Sequence, residues 1–313
     1  ITPPVAIGAY AAASVAESNP LKTGLEAMRL GTVIYFIPFF FVLNPALIGQ
    51  GAPLYVLFVF GTAVLGVVFL SAALQGYLFG IGRLTFWGPG GMLVRLALFV
   101  GGRAWLAENP GSNPWAPLDL RDEPGWATRS KIAALRDDPA QCHAVLERSE
   151  VAFTALEPLG EAPCLRANRT RLDDFPYAGE RPDTTCATAA ALEIWRRDAV
   201  QPASRDIFGQ EVAQIEHFGS FSCRRMYGRD EGPWSEHATA NAIDIAGFVL
   251  ADGTRIAVVN DWQGEGDKAH FLRAVRDGAC RAFGTVLSPE YNEAHRDHFH
   301  LDQAARGLGG VCR

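Results

Sequence analysis

Two short blocks of the chain, Ser235 to Asp244 and Asp297 to His300, gather His237, Asp244, Asp297, His298 and His300 about sixty positions apart. A zinc ion takes three or four nitrogen, sulfur or carboxylate ligands in a tetrahedron, and a catalytic one keeps a position open for water. His237, Asp244 and His300 supply three such ligands. The gap of seven between His237 and Asp244 suits a loop running into a strand, not one face of a helix. His298 and His300 alternate, so on a strand they share a face. That alternation predicts one imidazole on the metal and the other beside the open position. A plain polar strand edge would also alternate in this way. Five candidate ligands or bases in two blocks, each flanked by strand-like apolar residues, weigh toward the metal.

The pattern Ser-x-His-x6-Asp followed by His-x-His resembles the LAS metallopeptidases (lysostaphin, D-Ala-D-Ala carboxypeptidase, sonic hedgehog). The wider text is similar to the extensin-like protein C-terminal family of bacteria. The strings that carry this likeness are Gly219-Ser220-Phe221-Ser222-Cys223-Arg224-Arg225, Ser235 to Gly247, Asp277-Gly278-Ala279-Cys280-Arg281 and Tyr291 to Asp302, and it extends over roughly 108–313. The chain departs from the carboxypeptidase pattern at Ala240, where those enzymes carry Gly, and at Asp297, where they place a Glu base. The resemblance implies Zn2+ as cofactor and peptidoglycan stem peptides as substrate, in a D,D-carboxypeptidase or D,D-endopeptidase type of hydrolysis. Asp297 is then the first candidate for the base that moves the proton. His298 is the alternative, or it stabilises the oxyanion as the first His of His-x-His does in that group. Arg224 resembles the carboxypeptidase Arg that grips a carboxylate or oxyanion, a task a guanidinium fork suits; Arg225 competes for it. Ser235 either bonds the substrate backbone or caps a turn.

These residues need a scaffold, and the composition divides the chain sharply. Residues 1–107 hold seven charged side chains (Glu17, Lys22, Glu26, Arg29, Arg83, Arg95, Arg103) and the rest hold fifty-five; every Cys and every His lies after residue 140. The net charge is -6, and no basic run points to nucleic acid; no nucleotide partner is expected either. No charge interrupts the chain between Arg29 and Arg83. That run suffices for two bilayer crossings of about 20 residues each, expected near 28–48 and 54–82 with a turn at Asn44-Pro45 and Gln50–Pro53. A third, weaker span is expected at 92–107. Lys22, Arg29 and Arg83 put both ends of the first pair in the cytoplasm by the positive-inside rule. Six cysteines argue for an oxidising compartment, and the third crossing would deliver the second domain to the periplasm of an inner-membrane protein. Ile1-Thr2-Pro3-Pro4-Val5-Ala6 and Asn44-Pro45-Ala46-Leu47 resemble the end of a TRAP transporter fused large permease, to about residue 85. Most permease helices are missing from this piece, so transport is not expected of it.

Residues 108–127, rich in Pro, Gly, Asn and Trp, read as an extended tether, so that 108–140 comprises tether and first helix and 141–313 the extensin-like domain. Asp138-Pro139 predicts a capped helix through Arg148. Thr184 or Thr185 caps a second to Arg197 and Pro202 begins a third. Strands are expected at Val212–Phe218, Ala242–Leu250 and Arg255–Asp261, with a hairpin at Asp252-Gly253. Asp267 is expected to cap a helix to Phe283, and Phe299 to lie in a closing strand. The fold class is therefore α+β: membrane helices, then a disulfide-bonded domain whose antiparallel sheet carries the metal site. Fifteen pairings of Cys142, Cys164, Cys186, Cys223, Cys280 and Cys312 are open; we expect 142–164, 186–223 and 280–312, with Cys223 alternatively a metal ligand. The function expected is a membrane-anchored zinc peptidase or amidase of the cell wall. A metal-holding wall-binding module, or a permease fragment with an appendage, are the other two readings.

Overall fold

The computed structural model describes residues 8, 11–25, 27–28, 45–49, 53–75, 77–78, 82–83, 89–305 and 310–313. The chain divides into two compact units, Ile1–Ala104 and Trp105–Arg313.

In the first unit, helix α1 runs Pro53–Gln75 without a charged residue. It gives way to a two-residue antiparallel ladder, Tyr77 opposite Arg83 and Leu78 opposite Gly82. The Gly-rich sequence there (Gly76, Gly80, Gly82) disfavours helix, so the element ends short of the expected 82. Helix α2, Pro89–Glu108, covers the expected third span and contains Arg95, Arg103 and Glu108. The expected span at 28–48 lies mostly outside the described residues; at its end is a turn of 3-10 helix, Pro45–Ile48. Among the described residues no helix is long and apolar enough to cross a membrane.

The second unit is α+β. Residues 108–127 are not an extended tether: Leu118 and Leu120 are buried in its core. Gly111 and Gly125 approach so closely that a Cβ on Gly111 would meet Glu123 O at 2.1 Å. Helix α3 (Thr128–Ala134) follows, then α4 (Pro139–Arg148), where Asp138 accepts from Gln141 N at 2.9 Å and Pro139 starts the first turn. A hairpin the sequence reading did not find, β1 (Phe153–Leu156) with β2 (Arg169–Leu172), comes next. Thr185 caps α5 (Cys186–Trp195), which passes through a π turn, Arg196–Val200, into α6 (Gln201–Phe208), closed by Gly209 at φ +71°.

The main sheet is built on β4 (Ala242–Leu250). One edge of β4 pairs with β3 (Val212–Gly219). The other pairs first with β7 (Phe299–Asp302) and then with β5 (Arg255–Ala257), all antiparallel. Beyond β7 lie β6 (Thr285–Leu287), antiparallel to it, and β8 (Val311–Cys312), parallel to β6; neither was foreseen. Arg255 begins a strand of three residues, not seven, because the chain turns helical at Val258–Asp261. Helix α7 is Asp267–Ala279; Gly266, not Asp267, is the capping position, and no side chain fills that role. Residues on both faces of β4 are buried along nearly its whole length, which is why it reads as a nearly continuous apolar run. Its Phe248 packs on Trp195 of α5 and Phe271 of α7, at ring distances of 5.9 and 5.1 Å, and the Trp195 indole N–H donates to Val275 O at 2.7 Å.

All six cysteines are bonded, as Cys142–Cys186, Cys164–Cys223 and Cys280–Cys312, with Cα separations of 6.0, 5.6 and 5.8 Å. Only the last pair is the one expected. Neighbours in sequence misled here: α4 packs along α5, which sets Cys142 against Cys186. Cys164 is thereby left for Cys223, so Cys223 is a disulfide partner and not a metal ligand.

Candidate metal centre

Three elements converge. His237 sits in a 3-10 turn, Glu236–Thr239, capped by Ser235, whose hydroxyl accepts from His237 N at 3.3 Å. The turn ends on Ala240 at φ +57°, ψ 28°, left-handed backbone where a side chain is strained. The carboxypeptidases that this stretch resembles carry Gly at that position, as the geometry would favour. Asp244 lies on β4 directly opposite His300 on β7 in the sheet register. His298 immediately precedes β7 and, as the alternation implies, faces the same cavity as His300.

His237 Nε2 lies 3.0 Å from Asp244 Oδ1 and 3.1 Å from His300 Nδ1, and His300 Nδ1 lies 3.0 Å from the same oxygen. The outer nitrogens decide the protons. His237 Nδ1 meets the Ser220 carbonyl at 3.0 Å, and His300 Nε2 meets Asp302 Oδ2 at 3.0 Å. Both partners only accept, so Nδ1 of His237 and Nε2 of His300 donate. In neutral imidazoles the inner nitrogens then carry lone pairs, and two lone pairs and a carboxylate oxygen face one another with no donor among them. That donor set fits a divalent metal, and these three ligand atoms lie within 4.8 Å of one another.

The supports are buried. Asp302 is 1% exposed, and its other oxygen accepts from Ala304 N at 2.8 Å. The Ser220 carbonyl is fixed because its own hydroxyl donates to Asp183 O at 2.6 Å and Ser222 N donates to His237 O at 3.0 Å. Sequence reasoning missed both residues. Asp302 was within reach, since it stands two positions after His300 and so shares its strand face; the Ser220 contact is made by backbone and leaves no side-chain signal.

Electrostatics in the metal-free site follow from this packing. Burial alone would raise the Asp244 carboxyl, but bonds to His237 and His300 in their protonated form outweigh it and hold the group far below the carboxylate range. Burial alone would lower His300; bonds to Asp244 and Asp302 instead raise it to about 9. His295, within 5.8 Å of His300 ring to ring, is pushed down to about 4, by burial first and then by the neighbouring His300 and His298. Its Nδ1 donates to Asn292 Oδ1 at 2.7 Å, so it is a neutral wall residue.

The cluster opens into a cavity of about 410 Å³. Arg224, Ser235, Glu236 and His298 line it, but Asp297 and Arg225 do not. Asp297 Oδ1 instead accepts from His298 Nδ1 at 2.8 Å, leaving His298 Nε2 facing the site, 3.5 Å from Asp244 Oδ1. Arg225 stacks 4.5 Å over Trp234 and donates to Gly232 O. Glu236 accepts from Asn241 Nδ2 at 2.6 Å.

Residues 1–78 match the family model described as tripartite ATP-independent periplasmic transporter, DctM component. Residues 140–313 match the model described as extensin-like protein C-terminus. No curated protein and no solved structure matches the chain. With both site blocks, all six cysteines and more than half of its length inside the second match, the chain belongs to the extensin-like protein C-terminal family.

Proposed function

We propose that residues 105–313 form a zinc-dependent hydrolase of peptidoglycan stem peptides, of the D,D-carboxypeptidase or D,D-endopeptidase type, held at the inner membrane with this unit in the periplasm. The observation that carries the reading is the convergence of His237 Nε2, Asp244 Oδ1 and His300 Nδ1 at 3.0–3.1 Å beside an open cavity. A zinc ion held there supplies Lewis-acid polarisation of a carbonyl and acidifies water. His298 is the base: its Nε2 faces the cavity as an acceptor, and Asp297 holds the opposite N–H and favours the imidazolium that forms. Asp297, the first candidate by resemblance, thus takes the supporting role, and the alternative, His298, that of the base. The Arg224 guanidinium lines the cavity and, among the described residues, has no ion-pair partner, which suits it to a substrate carboxylate. Ser235 serves the turn that aims His237. Three disulfides support an oxidising compartment, and the DctM-like segment supports attachment to a membrane.

A second reading, a wall-binding module that keeps the metal without cutting, is favoured by one observation: the Asp297 carboxylate is turned onto His298 and away from the cavity. The test is elemental analysis of the purified protein, with cleavage of purified stem peptides by wild type, Asp297→Ala and His298→Ala. We expect about one zinc per chain, strong loss of cleavage in His298→Ala and a smaller loss in Asp297→Ala. Absence of metal after zinc addition sinks both readings, and bound zinc with no cleavage leaves the second.

A further inference from the structure

Part of the cavity wall is a small hairpin, residues 224–235. Arg225 and Trp234 form an antiparallel bridge, Met226 N donates to Pro233 O at 3.0 Å, and Ser235 N donates to Arg224 O at 3.1 Å. It carries two aromatic rings into the cavity lining, Tyr227 and Trp234, which are 48% and 38% exposed and take no part in the hydrophobic core. Each has an arginine against it. The Arg225 guanidinium lies 4.5 Å from the Trp234 ring centroid and that of Arg229 lies 5.6 Å from the Tyr227 centroid. A cation over an aromatic face restrains the ring and leaves the other face for a ligand. The Tyr227 hydroxyl accepts from Asn292 Nδ2 at 3.2 Å, which ties the hairpin to the loop bearing His295. The Tyr227 backbone is left-handed, φ +59° and ψ 21°. Such a conformation is strained in a non-glycine residue and tends to persist where function uses it.

We propose that Tyr227 and Trp234 form a stacking platform for a sugar ring, so that the ligand of this cavity is a saccharide-bearing peptide and not a bare one. An aromatic face carries partial negative charge and attracts the slightly positive C–H bonds of a pyranose. The hydroxyl rim of the same sugar needs hydrogen-bonding neighbours, and Arg224 and Glu236 line the cavity beside the rings. A wholly apolar side chain in that place would strip water from those charged groups and return no bonds to them. The proposal refines the peptidase reading by naming its substrate class, yet sugar binding does not depend on cleavage.

The experiment is calorimetric titration of the zinc-loaded full chain with three probes: a stem pentapeptide, the same peptide on its N-acetylated disaccharide, and a β-1,4-linked N-acetylglucosamine trimer carrying no peptide. We expect the trimer to bind, and the disaccharide-peptide to bind at least about tenfold tighter than the bare peptide. Trp234→Ala and Tyr227→Gly should each bring that ratio toward one. Tyr227→Gly guards against a folding artefact, because glycine accepts the positive φ and the variant should melt no lower than wild type. Equal affinity for the two peptide probes, or a ratio unmoved in Tyr227→Gly, overturns the platform even if both peptides are cut. A sugar preference in a protein that cuts neither probe upholds the platform and removes the peptidase reading.

Discussion

Helix α1 and strand β4 are both almost wholly apolar, and the chain uses them in opposite ways. In α1, Leu57 and Phe58 are 69% and 68% exposed, and Phe60 and Leu65 are exposed as well. In β4, Ile243, Ile245 and Phe248 are fully buried, with strands on both edges and α5 and α7 supplying the aromatic rings around Phe248. Apolar sequence becomes core only where other elements are present to cover it. The difference extends to polar residues. A carboxylate within β4, Asp244, is tolerated because two imidazoles and a sheet register place partners around it. Nothing comparable is found among the described residues of α1.

The largest effect should come from removing that carboxylate. Asp244→Ala takes one of three ligands and leaves His237 and His300 facing each other, so zinc measured by elemental analysis should be lost. Asp302→Asn keeps all three ligands and alters only the group behind His300. It should weaken the metal by roughly 10–100-fold, as other outer partners of metal-bound histidines do. Zinc retained at wild-type affinity in Asp244→Ala would show that β4 does not carry a metal site.

The contrast in packing has its own test. Phe248→Ala should cost about 3–5 kcal/mol in chemical denaturation, since it empties a space between α5 and α7. Phe58→Ala removes the same side chain from an exposed helical position and should shift stability by no more than about 0.5 kcal/mol. Comparable losses would mean that α1 is covered as well as β4 is.

Much of the second unit was legible because its signals are local. Asp138-Pro139, Thr185 and Asp252-Gly253 fix caps and a hairpin with contacts a few residues away, and β4 announced itself by length and apolarity. That His298 and His300 face one cavity was legible because alternation along a strand fixes their face. What failed was non-local or made by backbone. The disulfide partners depend on how α4 lies against α5. Strands β6 and β8, three and two residues long, are defined by neighbours far along the chain and carry no periodicity. Residues 108–127 read as a tether from composition, yet Leu118 and Leu120 find the core. The side chain of Asp297 could point two ways, and its bond to the adjacent His298 is a choice of side-chain rotamer that residue spacing does not encode.

Acidity sharpens the contrast further, since only the second unit buries titratable groups in a cluster of this kind among the described residues. In the metal-free protein His300 has its pKa raised to about 9 by Asp244 and Asp302, against about 6.5 in an unfolded chain. Its proton therefore stabilises the metal-free fold fully below about pH 6.5, and that contribution is lost as pH rises through 9. Zinc needs the same nitrogen free. Apparent zinc affinity, measured against a competing chelator, should thus rise by up to about tenfold per pH unit from 6.5 to 9 and then level off. A flat profile would mean that His300 does not give up a proton to the metal.

The smallest effect concerns one methyl group. Ala240 and Ala242 are both buried, two residues apart, and differ in backbone: Ala240 is left-handed at φ +57°, whereas Ala242 opens β4. Ala242→Gly loses the burial of its methyl, worth about 0.8 kcal/mol, and adds the roughly 0.5–1 kcal/mol cost of glycine's freedom in the unfolded chain. A net loss of about 1–2 kcal/mol is expected. Ala240→Gly suffers the same two losses but relieves about 1–2 kcal/mol of left-handed strain, so its midpoint in denaturant should stay close to wild type. Equal losses at the two positions would show that the turn aiming His237 stores no backbone strain.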